Sequence, residues 1–113
     1  MLKPLILAVS LSLAGAAALA EDGPRFLNRT GQTIVKLQLA PVGTQKWGPN
    51  QCEHDDEGAV DHNEKLTLVG VPSGHYDMKI ADKNGRVCIA KNVAVTDGSQ
   101  LVVKEQDLTG CGK

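Results

Sequence analysis

Residues 74–95 read GHYDMKIADKNGRVCIAKNVAV, and this stretch decides the fold class of the chain. Its first half alternates in polarity, with Tyr76, Met78 and Ile80 on one face and His75, Asp77 and Lys79 on the other. Such period-two alternation is typical of a half-buried β-strand. Asn84 and Gly85 follow, a pair that accepts the positive φ angles of a tight hairpin turn, and apolar residues then resume. The stretch therefore predicts a β-hairpin.

The same alternation extends outward from this hairpin in both directions. Val35, Leu37 and Leu39 form one predicted face opposite Lys36 and Gln38, and Leu66 with Leu68 forms another. Further β-branched stretches cover 87–95 and 101–103, and turn signals lie at 28–31, 72–74 and 97–98. Five or six short strands can be read directly, and no segment has a sustained helical period. We therefore predict an all-β fold, a small antiparallel β-sandwich of about six or seven strands, as one domain over 21–113.

The first twenty residues have the order of a secretion signal. Lys3 precedes an apolar run from Leu5 to Leu13, and small residues end the segment at Ala18–Ala20. Ser10 and Ser12 interrupt a stretch that is already short for a bilayer. We predict cleavage after residue 20 and a bacterial periplasmic or secreted protein that is not membrane-spanning after cleavage. No cysteine follows the cleavage site, so a lipid anchor is not expected there.

Composition argues against two classes of function. The net charge is −1 and the chain has only three aromatic residues, so neither a basic field nor a stacking surface for nucleic acid is expected. No serine lies in a Gly-x-Ser-x-Gly elbow, and a Cys52 and His54 pair lacks an orienting third group. We therefore predict a protein that is not an enzyme and does not bind nucleic acid.

The three cysteines are Cys52, Cys88 and Cys111, an odd number in a chain expected to fold in an oxidising compartment. Cys88 comes just after the hairpin turn and Cys111 near the end of the chain, where a bridge would hold a terminus that otherwise frays. This favours a disulfide between Cys88 and Cys111. Pairing of Cys52 with either of them, or with another molecule, stays open.

Short motifs across the predicted domain resemble a group of small exported bacterial proteins with no established activity. These are Phe26 and Asn28, the strand 33–39, Trp47 with Gly48, Gly74 with Tyr76 and Asp77, the 82–85 turn before Cys88, and a final Leu108 and Cys111. The resemblance covers nearly all of 21–113. It implies a transthyretin-like or immunoglobulin-like sandwich and the Cys88–Cys111 bridge, and it implies no mechanism. Cys52 and the acidic stretch after it depart from the group.

That acidic stretch, the loop 53–64, carries six carboxylates and no lysine or arginine. Counted from Glu53, its spacing follows the register of a calcium-binding EF-hand loop, with Gly58 sixth and the Ala59 carbonyl seventh. The predicted calcium ligands are Glu53, Asp55, Glu57, Asp61 and Glu64. Glu at the first and fifth positions and the absence of flanking helices depart from the motif. A solvated loop without metal is the alternative.

A softer metal ion is the second candidate ligand for the same region. Cys52, His54 and His62 supply a thiol and two imidazoles, the ligand types that suit Zn²⁺ or Cu²⁺. A fourth ligand would come from elsewhere, for example His75 or one of the acidic residues. Two further interpretations concern Trp47, which fits either a core position or an anchor for a partner, and we favour the core.

Together these patterns predict a periplasmic or secreted binding module with a calcium-like cation at the loop 53–64. The alternative is a cell-envelope domain that contacts a protein partner or plays a structural accessory role without metal. The two differ in their response to a chelator.

Overall fold

The computed structural model describes residues 23–113. The predicted signal peptide, residues 1–20, lies outside this range. The described chain forms seven strands: β1 (Arg25–Arg29), β2 (Ile34–Pro41), β3 (Lys65–Thr67), β4 (Gly74–Asp82), β5 (Val87–Val95), β6 (Gln100–Lys104) and β7 (Leu108–Gly112). Two short 3-10 helices cover Gln51–His54 and Glu105–Asp107. No helix within 23–113 is long and apolar enough to cross a membrane.

The strands form two sheets, which confirms the predicted all-β, disulfide-stapled fold. One sheet has the order β3-β1-β6 and the other β2-β4-β5-β7. All strand pairs are antiparallel except β1 with β6, which run parallel in register from Arg25 opposite Gln100 to Arg29 opposite Lys104. A parallel pair needs a long connection between its strands, and here the chain passes through the other sheet before β6 returns beside β1.

The predicted hairpin is β4 and β5, and its turn has the expected chemistry. Gly85 adopts a φ of 88°, a value that favours glycine. Asp82 organises the turn because its Oδ1 accepts hydrogen bonds from the backbone N–H groups of Asn84, at 2.9 Å, and Arg86, at 3.1 Å. The side chain of Asp82 is buried, so these bonds replace the water that the carboxylate gives up.

The predicted face of β2 is correct at Leu37 and Leu39 and wrong at Val35. Leu37 and Leu39 are buried, whereas Val35 is 38% exposed and Ile34 is buried instead. A β-bulge between Ile34 and Lys36 explains the difference, because one extra residue in a strand reverses the face of everything beyond it.

The disulfide joins Cys88 and Cys111, as predicted. Cys88 is buried on β5, and Cys111 is exposed on β7, the neighbouring edge strand. The bridge therefore fastens the last strand of the chain to the sheet. Cys52 is free and fully buried.

Between the sheets lies a core of apolar side chains centred on Phe26 and Met78, both without exposed surface.

At one end of the sandwich, ion pairs and hydrogen bonds connect the two sheets. The guanidinium of Arg86 donates to Asp82 Oδ2 at 3.0 Å and to Glu105 Oε2 at 2.6 Å, and Glu105 Oε1 accepts from the Gly31 N–H at 3.0 Å. The hairpin turn of one sheet is thereby bonded to the segments that follow β1 and β6 in the other.

Candidate functional site

The acidic loop 53–64 begins in the 3-10 helix Gln51–His54, which Asn50 places against β2. The Asn50 Oδ1 atom accepts from Cys52 N at 3.0 Å and from Leu37 N at 2.9 Å. One oxygen thus caps the 3-10 helix and also accepts a hydrogen bond from an N–H group on the outer edge of β2. This arrangement brings Cys52 into the core and leaves the carboxylates that follow it outside.

The far end of the loop is fixed by Val60 and Asn28. Val60 exchanges backbone hydrogen bonds with Ile34, Val60 N to Ile34 O at 2.8 Å and Ile34 N to Val60 O at 3.0 Å. Asn28 is fully buried, and its Nδ2 donates to Val60 O at 2.8 Å and to Gln32 O at 2.9 Å. The Asn28 carbonyl accepts from Asn63 N at 2.6 Å. The loop is therefore bonded to the sandwich on both sides.

Three of the five predicted calcium ligands accept hydrogen bonds from groups of the chain itself. Asp55 Oδ2 accepts from Glu57 N at 2.9 Å, Asp61 Oδ1 accepts from the Thr33 hydroxyl at 2.9 Å, and Glu64 Oε1 accepts from Asp61 N at 2.9 Å. Glu53 and Glu57 have exposed side chains. Gly58 makes the sharp turn that the register requires, with a φ of 74°.

Cys52, His54 and His62 are not brought together either. The Cys52 thiol points at Ile34 O, 3.8 Å away, and burial, with a smaller contribution from the charge of Asp55, raises the pKa of this thiol to about 11. His62 Nδ1 lies 2.7 Å from Thr30 O, and His54 is exposed. Within residues 23–113 no three His, Cys, Asp or Glu side chains form a group that could hold a metal ion.

Trp47 does not belong to the core, contrary to the favoured prediction. Its side chain is partly exposed, and the Nζ atom of Lys79 lies 4.7 Å from the centre of its ring. Contact between an ammonium group and an indole face is a cation–π interaction, worth about 0.5–1 kcal/mol at an exposed position. Trp47 therefore packs on the outer side of β4 rather than between the sheets.

A groove of about 280 Å³ lies between the acidic loop and β3 and was not predicted from the sequence. One wall is His54, Asp55 and Asp56, and the other is β3 with Val69 just beyond it. Within 23–113 both side-chain ion pairs involve Arg86, so the carboxylates of this wall form no ion pair. The groove is thus bounded by unpaired acids on one side and by the edge of a sheet on the other.

The backbone groups along this edge follow from the pairing of β3 with β1. Asn28 N donates to Glu64 O and Leu68 N donates to Pro24 O, so even-numbered residues in 64–68 direct their backbone groups towards β1. In an antiparallel pair the intervening residues direct theirs away. The N–H and C=O groups of Lys65 and Thr67 therefore face the groove, and no hydrogen-bond partner for them lies in the described chain.

After Thr67, Val69 is the next residue whose backbone groups face away from β1, and a side chain forms hydrogen bonds with both of them. The Gln51 amide donates through Nε2 to Val69 O at 3.0 Å and accepts at Oε1 from Val69 N at 2.9 Å. This two-point contact imitates the pairing that a neighbouring strand would provide. It ends the open edge at Val69 and separates the groove from a 220 Å³ apolar cleft lined in part by Leu39, Val71 and Tyr76.

Comparisons of the chain with protein families, with curated proteins and with solved structures returned no match.

Proposed function

We propose that this chain is an exported binding module that takes up a polypeptide segment of another protein in the groove beside β3. The observation that carries the proposal is the unpaired edge of β3, where the backbone groups of Lys65 and Thr67 face a groove. A strand edge of this kind is a template for pairing with a further chain. Export rests on the sequence of residues 1–20.

A calcium-binding loop is the competing proposal for the same region. It is less well supported, because no three His, Cys, Asp or Glu side chains within 23–113 form a group that could hold a metal ion. To bind a cation through the predicted register, the loop would have to bring its carboxylates together. Peptide binding beside β3 uses backbone groups of Lys65 and Thr67 that have no hydrogen-bond partner in the described chain.

The test uses the protein exported by a bacterial host from the full-length chain, with its disulfide intact. A random peptide library displayed on phage is selected against this protein, and enriched peptides are titrated into ¹⁵N-labelled protein. We expect chemical shift changes at the backbone amides of His54, Asp56 and Thr67. Failure to enrich any peptide, or shift changes confined to residues away from the groove, would contradict the proposal.

The same labelled protein separates the two proposals. Calcium chloride is titrated after treatment with a chelator, and the loop amides are followed. We expect no saturable shift in 53–64. Saturation by calcium, with loss of peptide binding when calcium is added, would favour the cation site instead.

A further inference from the structure

We propose that the groove receives an extended segment bearing lysine or arginine, and that this segment binds as an added strand on the open edge of β3. The inference rests on the proposed function and specifies its partner. It joins two separate features of the molecule, the free backbone groups of β3 and the charge of the facing wall.

The backbone of β3 provides the geometry. Lys65 and Thr67 offer two N–H and two C=O groups on the side away from β1, spaced as in any strand. Their side chains are exposed, whereas Leu66 is buried in the core. The Gln51 amide at Val69 marks where added pairing must stop.

The edge of one other terminal strand is covered by the chain itself. β2 is also a terminal strand of its sheet, and its edge is covered by Asn50 at Leu37 and by Val60 at Ile34. β6 and β7 are terminal strands as well. β3 differs from them in being the strand that borders the groove of residues 54–56.

The facing wall provides the charge preference. Asp55 and Asp56 line the groove, and they belong to a loop of six carboxylates without a lysine or arginine. Lys65 is the one cation that lines the groove, and its side chain lies on the outer face of the sheet, since the neighbouring Leu66 points inward. A cationic side chain of the added segment, directed at the wall, would meet carboxylates that form no ion pair in the described chain.

The test uses two blocked peptides of equal length, one alternating Thr with Lys and the other alternating Thr with Glu. We expect the Lys peptide to shift the amides of Lys65 and Thr67 and to bind at least about tenfold more tightly than the Glu peptide. Equal binding of both peptides in the groove would overturn the inference and leave the proposed function standing. Binding of neither would also overturn the inference, and the proposed function would then stand or fall with the peptides enriched from the random library.

Two matched pairs of variants examine backbone pairing and charge separately. Thr67→Pro removes the outward N–H while leaving the β1 bonds in place, and Thr67→Val keeps it. We expect about tenfold weaker binding for the proline variant only. Asp56→Lys and Glu57→Lys change the net charge equally, but only Asp56 lines the groove. We expect about tenfold weaker binding for the first and clearly less for the second.

One further measurement leaves the protein untouched, in case Thr67→Pro fails to fold. Methylation of alternate backbone nitrogens in the Lys peptide removes the donors on one of its edges, and methylation in the other phase removes those on the opposite edge. One phase should abolish binding and the other should preserve it. Equal affinity for both methylated peptides would contradict strand addition. Protein dimers that form through β3 in the absence of peptide would identify a second copy of the chain as the occupant and overturn the assignment to a cationic segment.

Discussion

Removal of the Cys88–Cys111 bridge should cost this domain a large part of its stability. The bridge closes a loop with a sequence separation of 23 residues. In the chain-entropy description, a loop of this length restricts the unfolded ensemble by about 3 kcal/mol at 25 °C. A domain of this size has a total unfolding free energy of roughly 5–15 kcal/mol. We therefore expect the variant Cys88→Ala with Cys111→Ala to remain folded in the cold and to be strongly destabilised.

The measurement is urea unfolding of the disulfide-bonded protein followed by far-ultraviolet circular dichroism. The double variant should lose about 3 kcal/mol of unfolding free energy and about 15 °C in melting temperature. Its unfolded chain is less constrained, so the dependence of free energy on urea should also steepen. Wild-type protein unfolded in the presence of a reductant serves as a second route to the same state, free of any loss of packing at buried Cys88.

Cys52→Ala is the matched control, because it removes a buried cysteine that is in no bridge. It should cost about 1 kcal/mol, the order expected for deleting one small group from a packed core. The reasoning would be refuted if the double variant lost less than about 1 kcal/mol, or if reductant left the wild-type unfolding curve unchanged. Either result would mean that β7 is held by its strand pairing alone.

Three other perturbations test the contacts around the groove and at the far end of the sandwich. Asn28→Ala leaves buried backbone groups of Thr30, Gln32 and Val60 without their hydrogen-bond partner. It should lower the free energy of unfolding by about 3 kcal/mol, measured in urea, and speed hydrogen exchange in the loop 53–64. Burial raises the pKa of Asp82, but hydrogen bonds from Arg86 and Asn84 outweigh this effect and hold the pKa below its usual value. The resulting stability is present above about pH 4 and is lost as the pH falls through the folded-state pKa. The melting temperature of wild type should therefore exceed that of Asp82→Asn at neutral pH, and the difference should shrink in acid. The buried Cys52 thiol, whose pKa is raised to about 11, should not react with maleimide at neutral pH and should react once the chain is unfolded in urea. Mass spectrometry measures the labelling. Labelling of the folded protein at the rate of an exposed thiol would contradict the burial of Cys52.

The alternation of apolar and polar residues predicts the buried face correctly where a strand pairs regularly. Leu37, Leu39, Met78 and Ile80 all lie on the faces that alternation predicts. It failed at Val35, because a bulge changes the phase of a strand without leaving a mark in the sequence.

The two strands with no alternating apolar face could not be read directly. β1 has the sequence RFLNR, in which the buried Asn28 forms hydrogen bonds with Thr30, Gln32 and Val60. β7 has the sequence LTGCG, which is largely exposed and is tied to the sheet by its cysteine. The prediction of strands depended on alternating apolar residues. β1 and β7 are held instead by a buried polar residue and by a disulfide, so the prediction missed them.

The site was harder to predict than the fold, for a different physical reason. Residue spacing in the acidic loop matched a calcium register, but spacing counts positions and does not fix where side chains point. In the described chain no three His, Cys, Asp or Glu side chains form a group that could hold a metal ion, and one oxygen each of Asp55 and Asp61 accepts a hydrogen bond from Glu57 N or the Thr33 hydroxyl. The groove was missed because Leu66 and Leu68 mark β3 as a strand, while its place at the edge of a sheet depends on which strands pair across the whole chain.

The open edge and the acidic wall have a common origin in the segment between β2 and β3. Asn50 and Val60 in this segment cover β2, a role that requires the chain between them to lie along one side of the sandwich. The carboxylates of 53–57 then have no place in the core and are displayed beside β3. Gln51 in the same segment caps the backbone of Val69, two residues after Thr67, and leaves Thr67 and Lys65 uncovered. A segment that protects one strand edge thereby builds a charged wall along another, and the part of β3 left uncovered is the part that this wall faces.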